Sequence, residues 1–298
     1  MVLEKLYHMA HEKLSLGDIE VVIGDNAGHK DHRAGYNGIW SLRHKLGTRN
    51  LFVPAYAGFN LEHFFNGETE FLNRDVFFQP RRHPMELKKL NDSQVELKQE
   101  SVPHFFIESS TRFTLRRPHY VDVEFNCKPL QHAHDRGWFG CFWASYVNGP
   151  IDKSMYFKGG WKKGDDLWMQ LCTQKHDDES TVSHFDDNLK LEFLEGSRDA
   201  LFKNHSPMRF SKTFYYGHFE DLTYIIMFNR SKEIRFTHSP SGGGYNQKGN
   251  TSNPAWDFQF LVPKYEVLQQ YGYRARIALR KRCSRFEILT EYENFLKS

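Results

Sequence analysis

From about residue 18 onward, apolar and polar side chains alternate in short runs separated by clusters of Gly, Pro, Asn and Asp, a period of two that predicts many antiparallel strands. Ile19, Val21 and Ile23 alternate before the turn at Gly24, Asp25 and Asn26. Phe113 and Leu115, then Val121, Val123 and Phe125, alternate around Pro118. The pattern returns in Leu222, Tyr224, Ile226 and Phe228, in Ile234, Phe236 and His238, and in Trp256, Phe258, Phe260 and Val262. Tyr271, Tyr273, Ala275, Ile277 and Leu279 close the series, with Arg274, Arg276 and Arg280 on the opposite face. Each run reads as a strand with one wet or site-facing side. Helical spacing is confined to the ends. It occurs in Leu3, Leu6, Tyr7, Ala10 and Leu14 at the start, and in Phe286, Leu289, Tyr292 and Phe295 at the close. The polar stretch from Met85 to Glu100 fits a connection or a hairpin with Val95 and Leu97 turned inward. No strand–helix–strand alternation, internal repeat or Pro/Gly/Ser-rich linker divides the chain. The expected fold is mainly β, a large antiparallel β-sandwich with short helices at the termini, occupying residues 1–298 as a single domain.

Composition narrows the function classes. Hydrophobic residues make up 39% and charged residues 26% of the 298, a globular balance that excludes disordered and fibrous classes. Forty Lys and Arg against 37 Asp and Glu leave a formal charge of +3, too balanced for nucleic acid or an anionic bilayer to be the main partner. No segment approaches the roughly 20 apolar residues of a membrane span, and the charged residues among the first sixteen do not match a signal peptide. Cys127, Cys141, Cys172 and Cys283 are scattered without C-x-x-C spacing, which suits free thiols and a cytoplasmic location. Aromatic residues reach 15%, suited to half-buried sheet faces or to platforms on which sugars stack.

Four stretches could carry chemistry. Residues 50–67 mix small residues with Tyr56, Asn60, Glu62 and His63. In an extended chain Glu62 and His63 point to opposite faces, so only one can face a site. Residues 116–125 place Asp122 and Glu124 on one strand face about 6–7 Å apart, within the range of acid/base pairs in sugar chemistry, or simply on a solvated face. In residues 131–148, His132 and His134 at i and i+2 have the spacing of a divalent-metal pair, and Trp138, Trp143 and Tyr146 are either core or a sugar platform. This pair resembles the H-x-H of cupins, a metal-binding jelly-roll family, although Trp138 and Phe139 stand where a cupin carries Glu. The last stretch runs from Tyr215 to Phe258 through His218, Glu220, Arg235, His238, Trp256 and Asp257, with Gly242, Gly243 and Gly244 either cradling an anion or forming a hairpin tip. The acidic segment from Lys175 to Asn188, with His176 and His184, is either a solvated loop or the mouth of a cleft.

The closing pattern from Phe258 to Arg276, a strand ending in a Pro-containing turn before a final strand, resembles the last strands of the galactose-mutarotase-like β-supersandwich. Pro118, His119, Tyr120, Val121 and Asp122 echo an Asn-His-Thr-type segment of the aldose epimerases. The resemblance implies a supersandwich and a mono- or oligosaccharide as ligand, bound on a concave sheet face. It leaves epimerase, lyase, hydrolase and non-catalytic binder open. On this expectation His63, His119, His134 and His238 are candidate proton-transfer groups, because imidazole titrates near neutral pH. Asp122, Glu220 and Asp257 are candidate carboxylates. Arg136, Arg235, Trp138, Trp143 and Trp256 are candidate substrate contacts. No cofactor is expected, except that a cupin-like enzyme would hold a divalent ion on His132 and His134.

Overall fold

A computed structural model describes residues 10–68, 74–195 and 200–298. Its strands are β1 (His11–Leu16), β2 (Ile19–Gly24), β3 (Gly38–His44), β4 (Asn60–Phe65), β5 (Glu86–Asn91), β6 (Gln94–Gln99), β7 (Ile107–Arg116), β8 (Tyr120–Pro129) and β9 (Phe139–Ala144). They continue as β10 (Met155–Gly160), β11 (Leu167–Leu171), β12 (Thr181–His184), β13 (His205–Phe210), β14 (Phe214–Phe219), β15 (Leu222–Phe228), β16 (Ile234–Ser239), β17 (Ala255–Val262) and β18 (Tyr271–Lys281). Two one-turn helices, α1 (Arg74–Phe77) and α2 (Gln79–Arg82), separate β4 from β5, and α3 (Arg285–Leu296) follows the last strand.

β1, β2 and β3 form a small sheet. The other strands are linked in the order β4-β9-β17-β16-β12-β13-β10-β14-β15-β18-β8-β7-β6-β5, with β11 beside β10. The two halves of this path face each other. Trp143 of β9 lies 4.9 Å from Phe125 of β8, and Phe258 of β17 lies 4.7 Å from Phe228 of β15, measured between ring centres. Residues of the small sheet, including Val21, Ile23 and Leu42, join the same apolar core. The molecule is therefore the expected β-sandwich, every strand run named from the alternation is present, and Met85 to Glu100 contains the hairpin β5–β6 with Val95 and Leu97 buried. One pairing departs from the antiparallel rule. β12 and β13 run parallel, as the long connection in sequence between them permits.

Two other expectations are corrected, and the helix expected at the close is present as α3. Residues 11–16, assigned to a helical N-terminus, form β1, where alternation wins over the i+4 pattern; residues 1–9 lie outside the described part. In α3 the buried face is Ile288, Glu291, Tyr292 and Phe295, and Phe286 is exposed. Its start is fixed by a capping box in which Ser284 and Glu287 exchange side-chain and backbone hydrogen bonds. Finally, β4, β9, β15, β16 and β17 are buried on both faces, not one. Helix α3 covers Phe214, Ile225, Met227 and Ala278, while Phe77, Phe202 and neighbours cover the outer face of β4, β9 and β17. No helix among the described residues is long and apolar enough to cross a membrane. All four cysteines are free thiols.

Candidate active site

The outer face of β4, β9 and β17 buries the polar side chains of Glu62, His63 and Asp257. In β4 the pairing with β9 sets Leu61 opposite Trp143 and then His63 opposite Phe142, so Glu62 is the extra residue of a β-bulge. The bulge overturns the expectation that Glu62 and His63 diverge. Nε2 of His63 lies 3.4 Å from Oε2 of Glu62, and both side chains line one cavity of about 170 Å³. Asn37 holds the kink, its Nδ2 donating to the Leu61 carbonyl and its Oδ1 accepting from the Leu61 amide, both at 3.0 Å. Just before β4, Phe59 is buried with φ of 51°, a left-handed conformation that bulky residues seldom adopt.

Glu62 is held by three neighbours. Its Oε1 accepts from Nη1 of Arg81 at 2.7 Å and from the Tyr146 hydroxyl at 2.6 Å, and its Oε2 faces His63. Arg81 is presented by α2, where its Nε donates to the Gly35 carbonyl at 2.8 Å and its guanidinium lies 3.7 Å from the centre of the Tyr36 ring. Burial alone would raise the Glu62 carboxyl, but the charges of His63 and Arg81 and the hydrogen bonds from Tyr146 and Arg81 more than offset it. The carboxyl is held below its usual range. Burial pushes the Tyr146 hydroxyl well up, so it stays a donor. The Nδ1 of His63 is 2.8 Å from the Phe77 carbonyl, which can only accept, so Nδ1 carries a proton and Nε2 is the atom turned to Glu62.

Asp257, on β17, lines the same cavity. Its Oδ1 accepts from the Ser145 amide at 2.8 Å. Burial pushes its carboxyl well above the usual range; the Ser145 amide opposes this only in part, and the Glu62 charge adds to the rise. The cavity thus holds one carboxyl whose pKa is lowered and one whose pKa is raised, two environments that push like groups apart. At the mouth, Nδ1 of His176 lies 2.9 Å from the Ser239 hydroxyl, so the acidic segment begins at a cleft rather than on an open surface. Gly242 passes close over Ala255, where a Cβ would sit 2.6 Å from the alanine methyl. The Gly243 and Gly244 amides are taken up by the Asn253 and Ser241 carbonyls, so these two do not cradle an anion.

Of the sequence candidates, the cavity gathers His63 and Asp257. The others lie elsewhere. His238 is buried as a satisfied neutral ring: Nδ1 accepts from the Thr173 amide at 3.2 Å, Nε2 donates to the Lys153 carbonyl at 2.8 Å, and burial lowers its pKa to about 4. Trp143 and Trp256 are core residues; Trp143 stacks on Phe258, and the indole N–H of Trp256 also donates to Lys153. Trp138 packs edge-on against Phe65 and Phe193. Neither Trp143 nor Trp256 offers an open ring face, because the alternation points them at the opposing sheet. Arg235 makes a buried pair with Asp187. Glu220 accepts from Thr48 and Arg49 on the surface, and Arg136 sits 3.7 Å from Glu68. Asp122 is bound by Arg276 and Arg116, and Glu124 faces Arg112 at 3.8 Å, so this carboxylate pair belongs to a solvated salt-bridge lattice.

His132 and His134 both lie beside Tyr265, at 6.3 and 4.8 Å between ring centres, but differ in burial. His132 is exposed, and His134 is buried beside Phe105, Phe139 and Tyr265, with burial and His104 lowering its pKa to about 4. Among the described residues a group of three metal-ligand types comes together at Asp18, His44 and His119, with ligand atoms within 4.8 Å of one another. The geometry there fits a polar clamp better than an ion site. Nδ1 of His44 accepts from the Leu46 amide at 3.1 Å, which leaves the proton on the Nε2 that faces Asp18. Lys45 already neutralises Asp18 at 2.6 Å, and His119 faces Glu291 of α3 at 3.8 Å.

The pairing of Glu62 with His63, and the arrival of Arg81, left no mark in the alternation. The one local hint of the latter is Gln79-Pro80-Arg81-Arg82, a Pro at the start of a helical turn with two guanidinium groups behind it.

No protein-family model and no curated protein sequence matches the chain. Solved structures do. A protein described as a candidate aldose 1-epimerase from Escherichia coli K12 aligns with a TM-score of 0.51 at 10% identity, over 91% of this chain and 99% of that one. The Slr1438 protein from Synechocystis sp. PCC 6803 aligns with a TM-score of 0.50 at 9% identity, over 91% and 96%. A 4-alpha-glucanotransferase from Thermococcus litoralis aligns with a TM-score of 0.50 at 10% identity over 92% of this chain, which spans only 38% of that enzyme. At such identities the likeness establishes the fold, the galactose-mutarotase-like sandwich.

Proposed function

We propose that the protein is a carbohydrate-active enzyme that performs general acid/base chemistry on a saccharide ring, interconverting the anomers of an aldose. The observation that carries this is the opposed state of Glu62 and Asp257, two buried carboxyls at one cavity. In a cyclic aldose, Glu62 takes the proton of the anomeric hydroxyl while Asp257 gives its proton to the ring oxygen. The bond between the anomeric carbon and the ring oxygen breaks, leaving an aldehyde and a hydroxyl. Rotation and reversal of the two transfers give the other anomer, with no electrons gained or lost. The fold shared with a candidate aldose 1-epimerase agrees with a sugar as ligand. His63 acts here as a positioning residue, keeping Glu62 ionised.

The test is to follow freshly dissolved α-glucose, α-galactose and α-mannose by polarimetry and exchange NMR with the purified chain. Acceleration over buffer that is lost in Asp257→Asn supports the proposal. Calorimetric binding without acceleration would leave a carbohydrate-binding protein, and neither binding nor acceleration would remove both. The pH profile adds a second test. A carboxyl whose folded pKa is depressed stays ionised down to that low value, so activity falls only as pH drops through it. His63→Gln removes the positive neighbour, raises the Glu62 pKa, and is expected to move the acid limb of kcat/KM to higher pH. An unmoved acid limb would take this role from His63.

A further inference from the structure

The cavity at Glu62 adjoins a second, larger cleft. A space of about 910 Å³ lies between the loop over residues 26–36 and α2, and it shares Glu62, Phe78, Tyr146 and Gly242 with the inner cavity. The two spaces differ in what they fit. A cavity of about 150 Å³ takes one six-membered ring, as in the engineered cavity that binds benzene, so the inner space of about 170 Å³ is of single-ring size. The outer one is several times larger, and its walls at Ala27, Ala34, Gly35 and Pro84 are small side chains that leave it open.

Charge decides what kind of ligand extends into it. Arg81 is neutralised by Glu62 at 2.7 Å, and Arg82 is ion-paired with Asp75. Asn26 spends its amide donors on the Pro80 and His83 carbonyls. The cleft therefore presents paired charges and aromatic edges, which match a neutral polyhydroxyl chain better than a phosphorylated or sulfated one.

From this, and resting on the proposed sugar chemistry, the geometry points to a neutral oligosaccharide as the ligand, with its terminal ring in the inner cavity beside Asp257 and its next rings in the outer cleft over Phe78 and Tyr146. Such a ligand gains contacts with each added ring until the outer cleft is filled, whereas a monosaccharide uses only the inner space.

The experiment is a calorimetric series on the full chain with glucose, galactose and mannose, their α-1,4- and β-1,4-linked di- and trisaccharides, and glucose 6-phosphate and glucuronic acid. At least one series is expected to tighten about tenfold from one ring to two, with a further gain at three. Ala34→Trp, in an exposed loop that projects into the outer cleft, is expected to change the ratio of trisaccharide to monosaccharide affinity about fivefold or more, in either direction. Monosaccharide binding that does not improve with chain length, or a ratio indifferent to Ala34→Trp, overturns this inference and leaves the anomer chemistry standing. Tighter binding of the charged sugars than of the neutral ones overturns the neutral-ligand assignment. Failure of every sugar to bind or react removes the proposed function as well.

Discussion

Asp257→Asn is expected to lower the rate of anomer interconversion about 10²- to 10⁴-fold, the range for removing a general acid, while leaving the protein at least as stable at neutral pH. The two effects separate because of the unusual state of this carboxyl. Buried beside Glu62, Asp257 has its folded pKa raised well above 3.8, so the native state holds a proton that the unfolded chain releases. Wherever the native state binds more protons, stability falls as pH rises. The wild type is therefore expected to lose stability as pH climbs from about the unfolded value toward the raised folded one, whereas Asp257→Asn, with a neutral amide at every pH, lacks that contribution. Thermal melts of both proteins across the pH range, beside their rates at one pH, give the comparison. A variant that is inactive because it is destabilised at pH 7 would contradict the buried acid. Glu62→Gln should be as damaging to the rate, but it is the poorer probe, because it leaves the buried Arg81 guanidinium without its countercharge.

How much of this could be read along the chain follows from what each feature requires. The strands from Ile19 to Leu279 were legible because antiparallel packing imposes a period of two. The same period misdirects once a strand is covered on both sides. Trp143 and Trp256 look like exposed platforms next to polar neighbours, yet the register of β9 and β17 turns them onto Phe258 and Tyr224 in the core. Histidine was equally ambiguous. His63 and His238 sit in similar polar surroundings in sequence, and only the tertiary partners distinguish a ring turned to a buried carboxylate from one locked between Thr173 and Lys153. Asp257 was legible as a polar residue in a strand of aromatics. Its partner Glu62 was not, because a bulge that adds one residue reverses the face of a side chain without leaving a motif. Arg81 reaches the site from a helical turn that no hydrophobic period announces.

Asp187→Asn is expected to be strongly destabilising, by about 3–5 kcal/mol. Arg235 and Asp187 are almost completely excluded from water, at 3% and 1% side-chain exposure. The pair is bidentate, with Nε to Oδ2 at 2.6 Å and Nη2 to Oδ1 at 3.2 Å, and Nη2 also donates to the Leu189 carbonyl at 3.2 Å. Arg235 was expected to hold a substrate group. Its place on β16, two residues from Thr237, which pairs with Asp257, puts it on the same sheet face as the cavity, but its guanidinium is spent on anchoring the chain at residues 187–189. That chain continues through Leu191 and Phe193, which pack on the apolar cover of this face. Losing the carboxylate charge strands a buried guanidinium, so melting should fall by about 5–15 °C and cavity access should change with it. The pair is also a test of whether the charge itself is needed. In Asp187→Leu with Arg235→Met the desolvation of both ions disappears, and replacing a buried pair by apolar groups is commonly neutral or stabilising. If that double variant melts near the wild type but binds sugar more weakly, the pair serves to fix the cover in register over the acid/base groups. If it melts as low as Asp187→Asn, the charged, hydrogen-bonded pair itself, rather than apolar packing around residues 185–193, holds the cover down.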